Sequence, residues 1–160
     1  MTALRTELRP VSPVGFLDWL RRAIARPEPA ARVIAPATIH LGGSLEVYWW
    51  FFCQNGPELS LVTVSLVGAE VAHRRISART GISVVTETSP FLTLELDRQR
   101  PERGSPVASG HAEALVPLRS VPSLTGKRNE IAWAVVIEAW SGAAMIRRQE
   151  FPIRVLAVSR

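Results

Sequence analysis

The sequence predicts an all-β protein, a β-sandwich of two antiparallel sheets, and three observations support that fold class. First, residues 122–140 join a turn-rich loop to a segment whose apolar side chains alternate along the chain. One face of that segment carries Ile131, Trp133, Val135 and Ile137. Second, similar alternating segments recur at short intervals, separated by Gly, Pro, Asn and Ser. Third, 160 residues with 47% hydrophobic composition suffice for one domain with its own core.

We divide the chain into an N-terminal segment, residues 1–31, and a sandwich domain, residues 32–158. The first part contains the best helix candidate, at about residues 13–26, which Ser12 would cap and Pro27 would end. Its apolar stripe and its flanking cations include Phe16, Trp19, Leu20, Arg21 and Arg22. Two alternatives follow, because such a helix can pack on the sandwich or lie on an anionic membrane surface.

Residues 32–52 predict a β-hairpin with an unusual second strand. Residues 32–41 and 44–52 are the two strands, and Gly42-Gly43 is the tight turn between them. Both faces of residues 44–52 are apolar, and the second face consists of Tyr48, Trp50 and Phe52. Exposed aromatic patches mark contact surfaces, so these three residues are the candidate partner-contact surface unless the helix covers them.

The rest of the chain predicts further short strands. They are residues 59–67, an edge strand at 70–77, residues 82–87 and 91–96 on either side of Pro90, residues 111–118, and a closing strand at 145–158. Residues 97–109 and 122–128 are predicted loops, since they are rich in Arg, Pro, Gly and Ser. Arg74 and Arg75 on the edge strand would discourage edge-to-edge pairing.

The charge balance is basic but diffuse. The net charge is +5, and all of the cationic side chains except Lys127 are arginines. They are spread along the chain, and the basic stripe with interleaved aromatic residues that nucleic-acid binding calls for is missing, so a nucleic-acid partner is not favoured. Cys53 is the only cysteine, which excludes an intrachain disulfide and favours a reducing, cytoplasmic compartment. We find no secretory signal and no apolar run long enough for a transmembrane helix.

The residues that could carry chemistry are few and scattered. The histidines, His40, His73 and His111, lack the close spacing of a zinc motif, and no nucleophile elbow or phosphate loop occurs. Cys53 ends an aromatic strand and is better explained as a small buried side chain than as an activated thiolate. We therefore expect no catalytic residue, no metal site and no cofactor.

Four segments together resemble one family of sandwiches. They are residues 39–47, residues 61–70, residues 122–126 leading to Ile131-Ala132-Trp133, and residues 151–155. Their order resembles the arrestin-like branch of immunoglobulin-type sandwiches, and its uncharacterised bacterial members more than arrestins proper. The resemblance covers most of residues 32–158 and implies an intracellular, non-enzymatic module that binds other proteins, often near membranes.

The leading hypothesis is thus a protein-interaction or scaffold module. Its partner would be another protein or a second copy of the chain, bound at the aromatic face or along an open strand edge. One alternative is a membrane-associated domain that docks through residues 13–26. Another is a carbohydrate- or small-ligand-binding sandwich in which Trp49, Trp50 or Trp140 offers a stacking surface.

Overall fold

The computed structural model describes residues 30–54 and 56–158, and the strands in this part of the chain form two packed sheets. In chain order they are β1 (Ala30–Ile34), β2 (Thr38–His40), β3 (Ser44–Phe52), β4 (Leu61–Ala78), β5 (Gly81–Gln99), β6 (Val107–Leu115), β7 (Leu124–Thr125), β8 (Asn129–Ser141) and β9 (Ala144–Leu156). The predicted all-β class is confirmed for these residues. The predicted helix at 13–26 lies outside the described residues.

The two sheets differ in size. The small sheet has the order β1-β3-β6, and the large sheet has the order β2-β9-β8-β4-β5 with β7 added beside β8. Every strand pair is antiparallel except β2 and β9, which run parallel from Thr38↔Arg154 to His40↔Leu156. The prediction of purely antiparallel sheets is therefore wrong for this one pair.

The core lies between the sheets and follows from the alternation of side chains. One face of β3, β4 and β8 is buried, and it supplies Leu45, Val47, Trp49, Phe51, Val62, Val64, Leu66, Trp133, Val135 and Ile137. Each large apolar side chain that leaves water in this way contributes about 1.5–3 kcal/mol. Trp133 is among the largest fully buried side chains, as predicted, and its indole N–H donates to the carbonyl oxygen of Val121 at 2.9 Å.

The hairpin predicted over residues 32–52 is wrong, because its first strand divides between the sheets. β1 pairs with β3 as far as Ile34↔Tyr48, and β2 then pairs with β9 in the other sheet. Pro36 lies at the crossing and cannot donate a backbone hydrogen bond, so the ladder with β3 does not continue through it. The carbonyl of Ala37 then accepts from the N–H of Arg154 at 2.9 Å, which joins the chain to the large sheet.

β4 and β5 form one long hairpin instead of the predicted separate pieces. The edge strand predicted at 70–77 is the second half of β4, and Pro90 lies inside β5. Pro90 is tolerated because β5 is the edge strand of the large sheet and because a register shift occurs at Gly68/Ala69 beside it. The predicted loop at 97–109 shrinks accordingly, since β5 extends to Gln99 and β6 begins at Val107.

Two β-bulges shape β5. Leu96 is the extra residue between the pairs Val64↔Asp97 and Ser65↔Glu95, and Phe91 is the extra residue at the second register shift. A bulge re-aims the side chains beside it. Here it turns Asp97 towards the interior.

Asp97 forms a polar contact with a fully buried tryptophan. The indole Nε1–H of Trp49 donates to Oδ2 of Asp97 at 2.9 Å. Gly110 lies opposite Trp49 in the ladder, and a Cβ atom on it would meet Trp49 Nε1 at 2.7 Å. Only glycine therefore leaves room for this hydrogen bond, which ties β3 of the small sheet to β5 of the large sheet.

Candidate functional site

The aromatic face predicted from the sequence is the outer face of the small sheet, and its three members differ in exposure. Tyr48 is 38% exposed, Trp50 is half-buried and Phe52 is 5% exposed. In the ladder with β1, Arg32 is opposite Trp50 and Ala30 is opposite Phe52. The solvent-accessible part of this face is therefore centred on Tyr48.

Tyr48 belongs to a polar cluster with Glu46 and His111. Its hydroxyl donates to Oε1 of Glu46 at 2.6 Å, and Nε2 of His111 lies 3.1 Å from the same oxygen. The rings of Tyr48 and His111 stack with centroids 4.4 Å apart. The hydrogen bond from Tyr48, aided by His111, lowers the pKa of Glu46. The same hydrogen bond to the Glu46 carboxylate raises the pKa of the Tyr48 phenol. The exposed end of the aromatic face is thus more polar than its sequence indicates.

The tryptophans offer little surface for stacking a sugar ring. Trp49 is fully buried, which removes it from the carbohydrate-binding alternative. Trp50 and Trp140 are each half-buried. A stacking platform needs an open indole face, and Trp49 lacks one.

The large sheet carries a feature that the sequence interpretation missed, a two-stranded arm. We define the arm as residues 73–86, which comprise the end of β4, the turn Arg79-Thr80 and the start of β5. The pairing of β8 with β4 stops at Ala72↔Asn129, and only β5 continues beside β4 beyond that point. The turn was hard to predict because Arg-Thr is not a typical turn dipeptide. The usable signal was Gly81, whose φ of 137° favours glycine.

The arm exposes apolar side chains on both of its faces. Ile82 is 71% exposed, Val84 is 61% exposed and Ile76 is 49% exposed. The pairing of β4 with β5 places Ile82 and Val84 on one face of the arm, and Ile76 and Val85 on the other face. These side chains bury little against the described residues 30–54 and 56–158, so within that part of the chain they are available for contact with another surface.

Cationic side chains surround the exposed apolar side chains of the arm. The exposed ones on the arm and on the adjoining loop are Arg74, Arg75, Arg79, Lys127 and Arg128. Arg74 forms an ion pair with Glu87 at 3.4 Å, and Nδ1 of His73 lies 3.2 Å from the hydroxyl of Thr86. Both contacts are exposed, so they contribute little to stability and leave the arm electropositive.

The remaining titratable groups do not gather into a reactive site within the described residues. No group of three or more His, Cys, Asp or Glu side chains there could hold a metal ion. A depression of about 520 Å³ is lined by Cys53 and by loop residues such as Pro57 and Arg103. Burial raises the pKa of the Cys53 thiol, which leaves less thiolate at neutral pH.

The described residues contain no helix with the length and apolarity that crossing a membrane requires.

Comparison with known proteins identifies a fold but no family. No protein-family model and no curated protein matches this chain. Among solved structures, Spo0M, a sporulation control protein from Bacillus subtilis, is similar with a TM-score of 0.51 and 14% identity. The match covers 82% of this chain and 50% of that chain, so our chain spans half of the Spo0M structure. The likeness supports an arrestin-like β-sandwich fold and, at this identity, nothing about activity.

Two other similar structures have lower scores. A β-glucosidase from Listeria innocua in complex with glucose has a TM-score of 0.30 and 13% identity, over 81% of this chain and 16% of that chain. The alkylpurine DNA glycosylase AlkC from Pseudomonas fluorescens, bound to DNA with an abasic site analog, has a TM-score of 0.28 and 15% identity, over 85% of this chain and 33% of that chain. These scores are too low to bear on function.

Proposed function

We propose that this chain is a non-catalytic, arrestin-like module that binds another protein, and that the arm is its main contact surface. One observation carries the proposal: the β4–β5 hairpin continues past β8 and exposes Ile76, Ile82 and Val84 to solvent. A two-stranded ribbon is marginally stable by itself in water. A partner that covers the arm would bury these side chains and add packing that the ribbon lacks.

The arm supports binding better than the aromatic face does. Phe52 is almost completely buried, and the hydroxyl of Tyr48 is engaged by Glu46. On the arm, by contrast, apolar side chains and open strand edges occur together. Open edges of this kind pair readily with a further strand, and natural proteins usually protect them.

The non-catalytic part of the proposal is supported by the dispersal of the reactive side chains. His40, His73 and His111 lie on β2, β4 and β6, three strands that do not neighbour one another. Cys53 is buried as a free thiol, which fits a reducing compartment such as the cytoplasm. The fold likeness to Spo0M agrees with a module of this type.

Affinity capture with matched variants tests the proposal. The arm variant is Ile82→Glu with Val84→Glu, and the control variant is Leu118→Glu with Met145→Glu, two exposed side chains away from the arm. A third variant, Tyr48→Glu, tests the aromatic face. Circular dichroism first confirms that each variant is folded.

We expect the unmodified chain and the control variant to capture the same protein, and the arm variant to fail to capture it. If only Tyr48→Glu loses the captured protein, the contact surface is the aromatic face and not the arm. Equal capture by all of the variants, or turnover of a small molecule by the purified chain, would refute the proposal.

A further inference from the structure

Resting on the proposed function, we infer that the partner adds a β-strand along the open edge of β4, residues 73–78, through an extended segment that carries acidic side chains. The inference concerns which edge of the arm is used and what chemistry it recognises. Three observations support it: the end of the hydrogen-bond ladder between β4 and β8, the direction of the β4 backbone groups beyond that end, and the distribution of charge around them.

The ladder between β4 and β8 ends abruptly at the base of the arm. Its last residue pair is Ala72↔Asn129, and the N–H of His73 then donates to the carbonyl of Arg128 at 2.8 Å. Beyond this bond no described strand lies beside β4 on the β8 side. An added strand would therefore take the position next to β4 that β8 leaves vacant.

The backbone groups on this edge can be assigned from the last bond. In an antiparallel ladder the N–H and C=O of one residue point to the same side, and successive residues alternate. Because the N–H of His73 points towards β8, those of Arg75 and Ser77 point to the open edge. The groups of Arg74 and Ile76 point to β5. Arg75 and Ser77 thus present donors and acceptors in the spacing that a further strand needs.

Charge around this edge selects the partner. Arg74 and Arg75 lie on β4, and Lys127 and Arg128 lie in the loop where β8 begins. Opposite charges on neighbouring strands stabilise a pair, and like charges destabilise it. Carboxylates on the added strand would therefore be favoured. A second copy of the chain paired along the same edge would place arginines opposite arginines, so it is disfavoured.

The outer edge of β5 suits such a partner less well. Glu87 lies on that strand just beyond the arm, where its carboxylate pairs with Arg74 at 3.4 Å and would repel an acidic segment. Pro90 follows and has no N–H to donate, and the bulge at Phe91 interrupts the register. Neither Pro90 nor the bulge has a counterpart on β4 over residues 73–78.

A direct test measures the fluorescence anisotropy of labelled peptides with the full chain. The probe is a short peptide of alternating glutamate and valine. Two controls have matched length: a lysine-valine peptide, and a glutamate-proline peptide, which keeps the charge but removes alternate backbone donors. Ser77→Pro removes an edge donor while sparing the ladder to β5, and Ser77→Ala is its matched control.

We expect the glutamate-valine peptide to bind more tightly than either control peptide. Ser77→Pro should weaken binding about tenfold, whereas Ser77→Ala should leave it nearly unchanged. Arg75→Glu should weaken the binding of the glutamate-valine peptide and strengthen the binding of the lysine-valine peptide. Added salt should weaken the interaction in part, since the charges are exposed.

Four outcomes would overturn the inference. Equal binding of the glutamate-proline peptide would show attraction to negative charge without strand addition. Binding of anionic vesicles or of single-stranded nucleic acid that Ser77→Pro does not affect would identify a general polyanion surface. A concentration-dependent dimer that Ser77→Pro abolishes would show that a second copy uses this edge. If Ile82→Glu with Val84→Glu loses the captured partner and Ser77→Pro keeps it, the inference fails while the proposed function stands.

Discussion

The hydrogen bond between Trp49 and Asp97 should stabilise the sandwich measurably, and Asp97→Ala tests it. The substitution removes the acceptor of an indole N–H that is fully buried. Leaving a buried donor unsatisfied costs about 1–3 kcal/mol. The other contacts of Asp97, from the N–H of Arg98 and from Nε2 of Gln99, are exposed and add little. We therefore expect a loss of about 2 kcal/mol, which lowers Tm by roughly 4–8 °C for a domain of this size.

Two further variants separate the hydrogen bond from other effects. Asp97→Asn keeps an oxygen at the same position, so it should cost less than about 1 kcal/mol. Gly110→Ala adds a methyl group that clashes with Asp97 Oδ2 and with the indole of Trp49, and it should cost about 1–3 kcal/mol. Gly110→Ala and Asp97→Ala disrupt the same contact. The double variant should therefore lose less free energy of unfolding than the two single variants lose together.

Urea unfolding followed by tryptophan fluorescence and circular dichroism gives the required free energies. A cost below about 0.5 kcal/mol for Asp97→Ala would show that the bond is not a significant tie between the sheets. Equal costs for Asp97→Ala and Asp97→Asn would show that carboxylate charge, and not an acceptor oxygen, is what matters. Strict additivity with Gly110→Ala would refute the assignment of both effects to one contact.

Three more outcomes can be checked. Tyr48 is the only tyrosine, so absorbance at alkaline pH should report its raised pKa directly, and Glu46→Gln should lower that pKa. Since the folded-state pKa is the higher one, the stabilisation is complete below the unfolded pKa of about 10 and is lost as pH rises through the folded pKa. Cys53 should react slowly with a disulfide reagent at neutral pH and faster in urea, because burial raises its pKa; equal rates would contradict its burial. Gly68→Ala should destabilise the fold by about 1–3 kcal/mol in urea unfolding, since the new Cβ would lie 2.8 Å from the Phe91 ring; Phe91→Ala should relieve part of that cost.

Regular alternation made part of the fold predictable. Ile131, Trp133, Val135 and Ile137 alternate along residues 129–141, so their pattern alone assigns Trp133 to the core, where it lies. The same pattern identified the closing strand, where Ile153 and Val155 are buried. In both segments the local period and the tertiary burial agree, and the prediction needed no knowledge of the neighbouring strands.

The features that sequence reasoning missed depend on partners distant in the chain. Residues 32–41 look like one strand, and only the position of β9 explains why the chain leaves the small sheet at Pro36. The extra residues at Phe91 and Leu96 arise from the register between β4 and β5, which composition does not encode. The arm exists because β8 begins at Asn129, a boundary that is not visible from residues 73–86 themselves.

For the candidate site, the sequence correctly singled out strand 44–52 as unusual, since both of its faces are apolar. It could not distinguish exposed from covered members, and Phe52 and Tyr48 differ for that reason. The polar cluster around Tyr48 was also out of reach, because Glu46 and His111 come together only through the pairing of β3 with β6.

The parallel pair of β2 and β9 has a mechanical consequence. Because the two strands run in the same direction, the start of β2 and the end of β9 lie at opposite ends of the pair. Tension between residue 37 and residue 156 therefore slides one strand along the other. The bonds from Arg154 to Ala37 and from Leu41 to Leu156, both 2.9 Å, would be strained together and not unzipped in turn. A molecule pulled at these two points should resist force as a shear joint.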